Sequence, residues 1–122
     1  MIMGLTYVEI GISNPADPDG ERRVEALVDT GATLSVIPRD ILEALGVGSI
    51  GKNRFKGFGG VVSREVANVL MRYRDSVAGV TVVIGEGNDP AIMGVTALES
   101  LGYQVDPVTG KLNPSEMLLL RL

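Results

Sequence analysis

Asp29, Thr30, Gly31 and Ala32 interrupt an otherwise apolar run, with Ala26-Leu27-Val28 before them and Leu34-Ser35-Val36-Ile37 after, in a chain that has no histidine and no cysteine. Those two absences remove the Ser/His and Cys/His nucleophile systems and most zinc sites, because their usual base or ligand does not exist here. Any proton transfer by this chain has to run through carboxylates. Read locally, Asp-Thr-Gly is a turn: Asp tolerates turn geometry and bonds its own backbone, and Gly supplies a positive φ. The flanks change that reading, because a strand, loop and strand running through a core would place the carboxylate where burial is costly. Burial raises a carboxyl pKa unless the charge is hydrogen-bonded, and two carboxylates brought together share a proton. Such a pair is an acid and a base tuned without histidine.

The surrounding sequence supplies elements to hold that loop. Tyr7, Glu9 and Gly11 fall on one face and Val8, Ile10 and Ile12 on the other, the alternation of a half-buried strand. Asn14 to Gly20 is dense in turn formers and Arg22 to Asp29 again suits a strand, so residues 5–29 are expected to form a β-hairpin with a loose tip. Pro38 to Leu45, with Ile41, Leu42 and Leu45 apolar and Gly46 beyond, reads as a short helix; Thr96 to Leu101, closed by Gly102, reads as a second. Arg54 to Tyr73 and Val80 to Gly85 are rich in Val and broken by Gly57, Gly59 and Gly60, the pattern of strands around a glycine-rich hairpin. Tyr103 to Val105 and Lys111-Leu112 flank Asp106-Pro107-Val108-Thr109-Gly110, a further hairpin signal. Many short strands, two short helices and frequent Gly/Pro turns predict one all-β, barrel-like domain over residues 1–122.

Composition narrows the function. At 122 residues there is room for one core and not for two lobes, and with 45% hydrophobic but only 4% aromatic residues that core must be aliphatic. No apolar run approaches the ~20 residues of a membrane helix, and the Met1 start lacks the basic region of a signal peptide, so a cytoplasmic protein without a membrane partner is expected. The lack of cysteine fits that compartment. A net charge of −4 argues against a general affinity for nucleic acid, and Arg22 and Arg23 are only a pair. Gly57-Phe58-Gly59-Gly60 is not a phosphate loop, since no Gly-Lys-Ser/Thr follows and Gly110-Lys111 is succeeded by Leu112. Asp17 and Asp19 are too few for a hard-cation site, so no metal and no cofactor are expected.

The stretch Ala26-Leu27-Val28-Asp29-Thr30-Gly31-Ala32 closely resembles the active-site motif of retropepsin-like aspartic proteases, the single-domain relatives of pepsin. Two further stretches resemble that family, in the order it requires. Ala91-Ile92-Met93-Gly94, followed by Val95 to Leu101 and Gly102, is similar to its second signature of two apolar residues and a glycine opening into a short helix. Phe55 to Val62 sits where the family has its flap, a glycine-containing β-hairpin that closes over substrate. The resemblance implies a closed barrel with a flap hairpin and one or two short helices. It departs at one point: retroviral members commonly carry an Asp after Asp-Thr-Gly-Ala and an Arg after the second glycine, which pair, whereas here Thr33 and Val95 stand there. Losing both partners together can be nearly neutral for folding. In this respect the chain is more similar to microbial or cellular relatives than to viral ones.

Asp17, Asp19, Asp40, Asp75, Asp89 and Asp106 are not followed by Thr-Gly or Ser-Gly, so the chain holds half of a dyad. The resemblance then implies a homodimeric endopeptidase, with one Asp29 from each copy activating water on the two-fold axis and a monomer that is inactive. It gives Thr30 a hydroxyl bond across the dimer, Gly31 a close approach of substrate backbone, and Ala32 an open groove. It makes Phe58, Gly59 and Gly60 the flap tip over a peptide substrate, and Ile92, Met93 and Gly94 the packing of the second signature. Met117 to Leu122, an apolar edge if left alone, is expected to pair with its mate, with Leu5 to Ile12, or within its own barrel. The rival expectation is a catalytically idle module of the same fold that dimerises or binds peptide.

Overall fold

The alternation near the start of the chain resolves into a long antiparallel hairpin, β1 (Tyr7–Asn14) and β2 (Asp17–Val28). The computed structural model describes residues 5–57 and 59–116, so Phe58 at the expected flap tip and the Met117–Leu122 run lie outside the described residues. In β1 the apolar face is buried as expected, Ile10 and Ile12 being 1% and 0% exposed. The turn is tighter than the run of turn formers suggests. Asn14 lies opposite Asp17, and the Ala16 N–H donates to Asn14 Oδ1 at 2.9 Å, so Asp17 to Gly20 belong to the strand instead of a loose tip. Pro18 is tolerated there because this part of β2 is exposed and, among the described residues, pairs on one side only.

The chain continues through β3 (Ser35–Pro38), α1 (Arg39–Ala44), β4 (Gly51–Gly57), β5 (Gly60–Tyr73), β6 (Ser76–Gly85), β7 (Ile92–Met93), α2 (Val95–Leu101), β8 (Tyr103–Val105) and β9 (Leu112–Pro114). Strands β1 to β7 form one sheet in the order β1-β2-β7-β3-β6-β5-β4, and Gly11 to Ser13 of β1 also pair with Leu70 to Arg72 of β5. The ladders therefore run from β1 around to β5 and back, with β4 attached outside the circuit. This is the mostly-β fold with two short helices that the sequence predicts. The expected closed barrel is met only in part: the strands form a ring of ladders that is thin at β7, only two residues long.

Both helices stop where their glycines allow. Gly46 and Gly102 have φ of 71° and 80°, and the Gly102 N–H bonds the Glu99 carbonyl at 3.1 Å. Pro38 occupies the N-cap of α1, one residue earlier than the expected first turn, where its missing N–H is no loss. α2 lays Ala97, Leu98 and Leu101 onto a core of Ile10, Ile12, Ile37, Val69, Met71, Val82, Ile84 and Met93. Each such leucine contributes about 1.5–3 kcal/mol relative to leaving it in water. Among the described residues no helix is long and apolar enough to cross a membrane.

Candidate active site

Strand β2 ends at Val28, and the chain leaves the sheet at Asp29 with its backbone still held by the second signature. Leu27 and Val28 run parallel to Ile92 and Met93, and the Asp29 N–H donates to the Met93 carbonyl at 3.0 Å. On the other side of β7, Ile92 pairs with Val36 of β3. The two apolar residues of the second signature thus sit between the strand that enters the Asp29 loop and the strand that leaves it. The loop closes on itself: the Ala32 N–H donates to the Asp29 carbonyl at 3.1 Å, and the Gly31 N–H to Asp29 Oδ1 at 2.8 Å. That second bond fixes the direction in which the carboxylate points.

Two expectations about this loop need correction. Asp29 is half-buried and not sunk in the core, with Thr30 and Gly31 exposed beside it, because the apolar strands end at Val28 and resume only at Ser35. Nor is Gly31 there for a left-handed backbone, since it is not among the glycines of positive φ. Its service is proximity: a Cβ at that position would stand 3.1 Å from Asp29 Oδ1.

Gly94 is the tightest point of the site. A Cβ there would lie 2.7 Å from the Leu34 carbonyl carbon and oxygen and 2.9 Å from the Ala32 oxygen. The approach lets Val95 N–H reach the Ala32 carbonyl at 2.8 Å, and lets Thr96 reach the Thr33 carbonyl with its N–H at 3.0 Å and its hydroxyl at 2.8 Å. Main-chain bonds join the two loops at Thr33 and Val95, where the retroviral ion pair would stand. Sequence reasoning missed Ser35, which is 0% exposed and accepts the Gly94 N–H on Oγ at 2.9 Å. Its signal was available as a lone hydroxyl inside the apolar run Leu34 to Ile37.

The glycine-rich hairpin is β4 and β5, with Gly57 opposite Gly60 and Gly59 at φ 83° between them. At Gly57, Gly59 and Gly60 an added Cβ would meet nothing within 4 Å among the described residues. Phe55, Val62 and Arg64 of the hairpin are half-buried, and most of the remainder is exposed. Ion pairs fasten its base. Arg39 at the start of α1 donates to Glu65 of β5 and, at 2.6 Å, to Glu86 in the segment that leads to β7. Glu86 first and Glu65 second hold the Arg39 guanidinium above the ordinary arginine value, while the Arg39 hydrogen bond lowers the Glu65 carboxyl. Arg64 Nε lies 3.7 Å from Asp89 Oδ2 in the same segment, and that oxygen accepts the Glu86 N–H at 3.0 Å.

A polar surface cavity of about 230 Å³ lies over β1, β2 and β5, lined by Glu9, Glu21, Arg23, Arg72 and Arg74; it includes none of the residues just described. Among the described residues no three Asp, Glu, His or Cys side chains converge where a metal could sit.

Asp29, the hairpin and the second signature all fall within residues 15–105, which match a family described as aspartyl protease. No curated protein sequence matches the chain. Among solved structures, the EIAV protease, a retroviral enzyme determined in complex with the inhibitor HBY-793, is similar to this chain with a TM-score of 0.64 at 17% identity, over 97% of this chain and 96% of that one. At that identity the likeness is one of fold. The chain belongs to the aspartyl protease family and carries its motifs on a retropepsin-like fold.

Proposed function

We propose that the chain is a homodimeric aspartic endopeptidase whose active site forms where two copies bring their Asp29 carboxylates together. One observation carries this reading: the Asp29 carboxylate is oriented by the Gly31 N–H at 2.8 Å on a loop whose Thr30 and Gly31 face outward. A single oriented carboxylate is half of a water-activating device, and a two-fold axis supplies the other half.

In the dimer, repulsion between the two carboxylates leaves one of them protonated. The ionised one takes a proton from a water held between the pair as the water oxygen adds to the substrate carbonyl carbon. The protonated one hydrogen-bonds the carbonyl oxygen and gives up its proton as charge develops there. Collapse breaks the C–N bond while the nitrogen takes the proton that came from water, and a hydroxyl proton of the intermediate returns to the other carboxylate. Thr30 reaches across to the partner's loop, Gly31 and Ala32 keep the floor open, and the hairpin tip with Phe58, Gly59 and Gly60 covers the peptide. Ile92, Met93 and Gly94 hold the loop in place.

The test is cleavage of an unstructured protein mixture from about pH 3 to about pH 7, read by mass spectrometry, beside Asp29→Asn. Cuts made by the wild type and absent with the variant support the proposal. Equal inertness of two folded, dimeric proteins would instead favour an idle peptide-binding module.

A further inference from the structure

Between Glu43 and Glu65 the sequence has no acidic residue but four basic ones, Lys52, Arg54, Lys56 and Arg64, in a chain whose net charge is −4. Lys52, Arg54 and Lys56 occupy alternate positions of β4 and are exposed, so they share one face at a spacing of about 7 Å. Opposite them on β5 stand Glu65, Ser63 and Val61. Glu65 is engaged by Arg39 and also feels the charge of Lys52 opposite it, but among the described residues none of the three cations forms a close ion pair, and Arg54 and Lys56 face no acid across the ladder. The face is therefore positive on a negative molecule.

β4 is also the last strand of its sheet. β5 lies along one side of it and, among the described residues, no strand lies along the other. Its outward N–H and C=O groups are a template for one more strand. Like charges at every second position oppose pairing with a second β4 and favour a strand of opposite sign.

We propose that this edge of β4 is a docking surface for an extended acidic segment of a peptide or protein substrate, whose alternate Glu or Asp side chains meet Lys52, Arg54 and Lys56. The identification of the occupant as substrate rests on the protease reading; the surface itself does not. The two-residue repeat fits a β-strand. A nucleic acid fits less well, because a molecule of net charge −4 as a whole repels polyphosphate.

The experiment titrates the full chain with a labelled peptide in which Glu alternates with Thr, beside the same peptide with Gln for Glu. The Gln peptide and the variant K52E/R54E/K56E should each weaken binding about tenfold or more, three exposed charge pairs together being sufficient for that. K52Q/R54Q/K56Q, whose fold is kept in view by circular dichroism, should show a smaller loss and serves if the charge reversal fails to fold. Equal binding of the two peptides, or unchanged affinity in the Gln variant, overturns the proposal, as does tighter binding of a poly(dT) strand of matched charge. An inert wild type that still binds the Glu peptide would sink the protease reading alone.

Discussion

The Asp29 loop and the β4–β5 hairpin both depend on glycine, for opposite reasons. At Gly94 the missing side chain is filled by the Leu34 and Ala32 carbonyls, 2.7 and 2.9 Å from where a Cβ would be. At Gly57 and Gly60 no atom of the described residues beyond the glycine's own chain neighbours lies within 4 Å of that point. One region is cross-tied by hydrogen bonds from Val95, Thr96 and Gly94 to the neighbouring loop, and the other is secured by its own ladder and by ion pairs at its base. A carboxylate that must be aimed needs the first kind of support. Under the proposed function the hairpin is a cover that admits a substrate, and it needs the second.

Gly94→Ala should have the largest effect. Backbone atoms cannot yield as a side chain would, so urea denaturation should show a loss of about 1–3 kcal/mol or more, and turnover should fall with it. Next is Ser35→Ala, which leaves the buried Gly94 N–H without an acceptor and should destabilise by about 1–3 kcal/mol; Ser35→Thr, which keeps the hydroxyl, should recover part of this.

The base of the hairpin gives a pH prediction. The Glu65 carboxyl is lowered in the folded chain by Arg39, so its stabilising contribution is present above the unfolded value near 4.5 and is lost as pH falls through the lower folded value. Asp106, lowered chiefly by the Val108 and Thr109 N–H groups, acts in the same direction below 3.8. Thermal midpoints should therefore drop on acidification from about pH 5 to about pH 3, and Arg39→Met should flatten that part of the curve that belongs to Glu65. The smallest effects belong to the hairpin glycines: Gly57→Ala or Gly60→Ala should leave stability unchanged or raise it by about 0.5 kcal/mol. Gly59→Ala, at φ 83°, should lower it by about 1 kcal/mol.

The strand alternation of Val8, Ile10 and Ile12, the caps at Gly46 and Gly102, and the positions of the three motifs were legible because each is local. What was not legible depended on tertiary partners or on turns without their usual residues. Arg74 turns the β5–β6 hairpin at φ 54° with Tyr73 opposite Ser76, so β6 begins at Ser76 and not near Val80; no glycine marks that turn. The Arg39–Glu65–Glu86 cluster joins residues 26 and 47 positions apart, beyond any periodicity. Asp17 to Gly20 reads as a turn but extends a strand, since exposure and a one-sided ladder remove the usual objection to Pro18. At the site, Asp29 stood out as a carboxylate among apolar residues, while Ser35 passed as part of the strand.

The central claim is that catalysis needs two Asp29 carboxylates from two chains. Its most direct test mixes wild type with an equal amount of Asp29→Asn, allows the subunits to exchange, and compares the peptide-cleavage rate with that of the same total protein as wild type. Random assortment leaves about one quarter of the dimers with both carboxylates, so the account predicts about one quarter of the rate. A rate near one half would mean that each chain works alone and would contradict it.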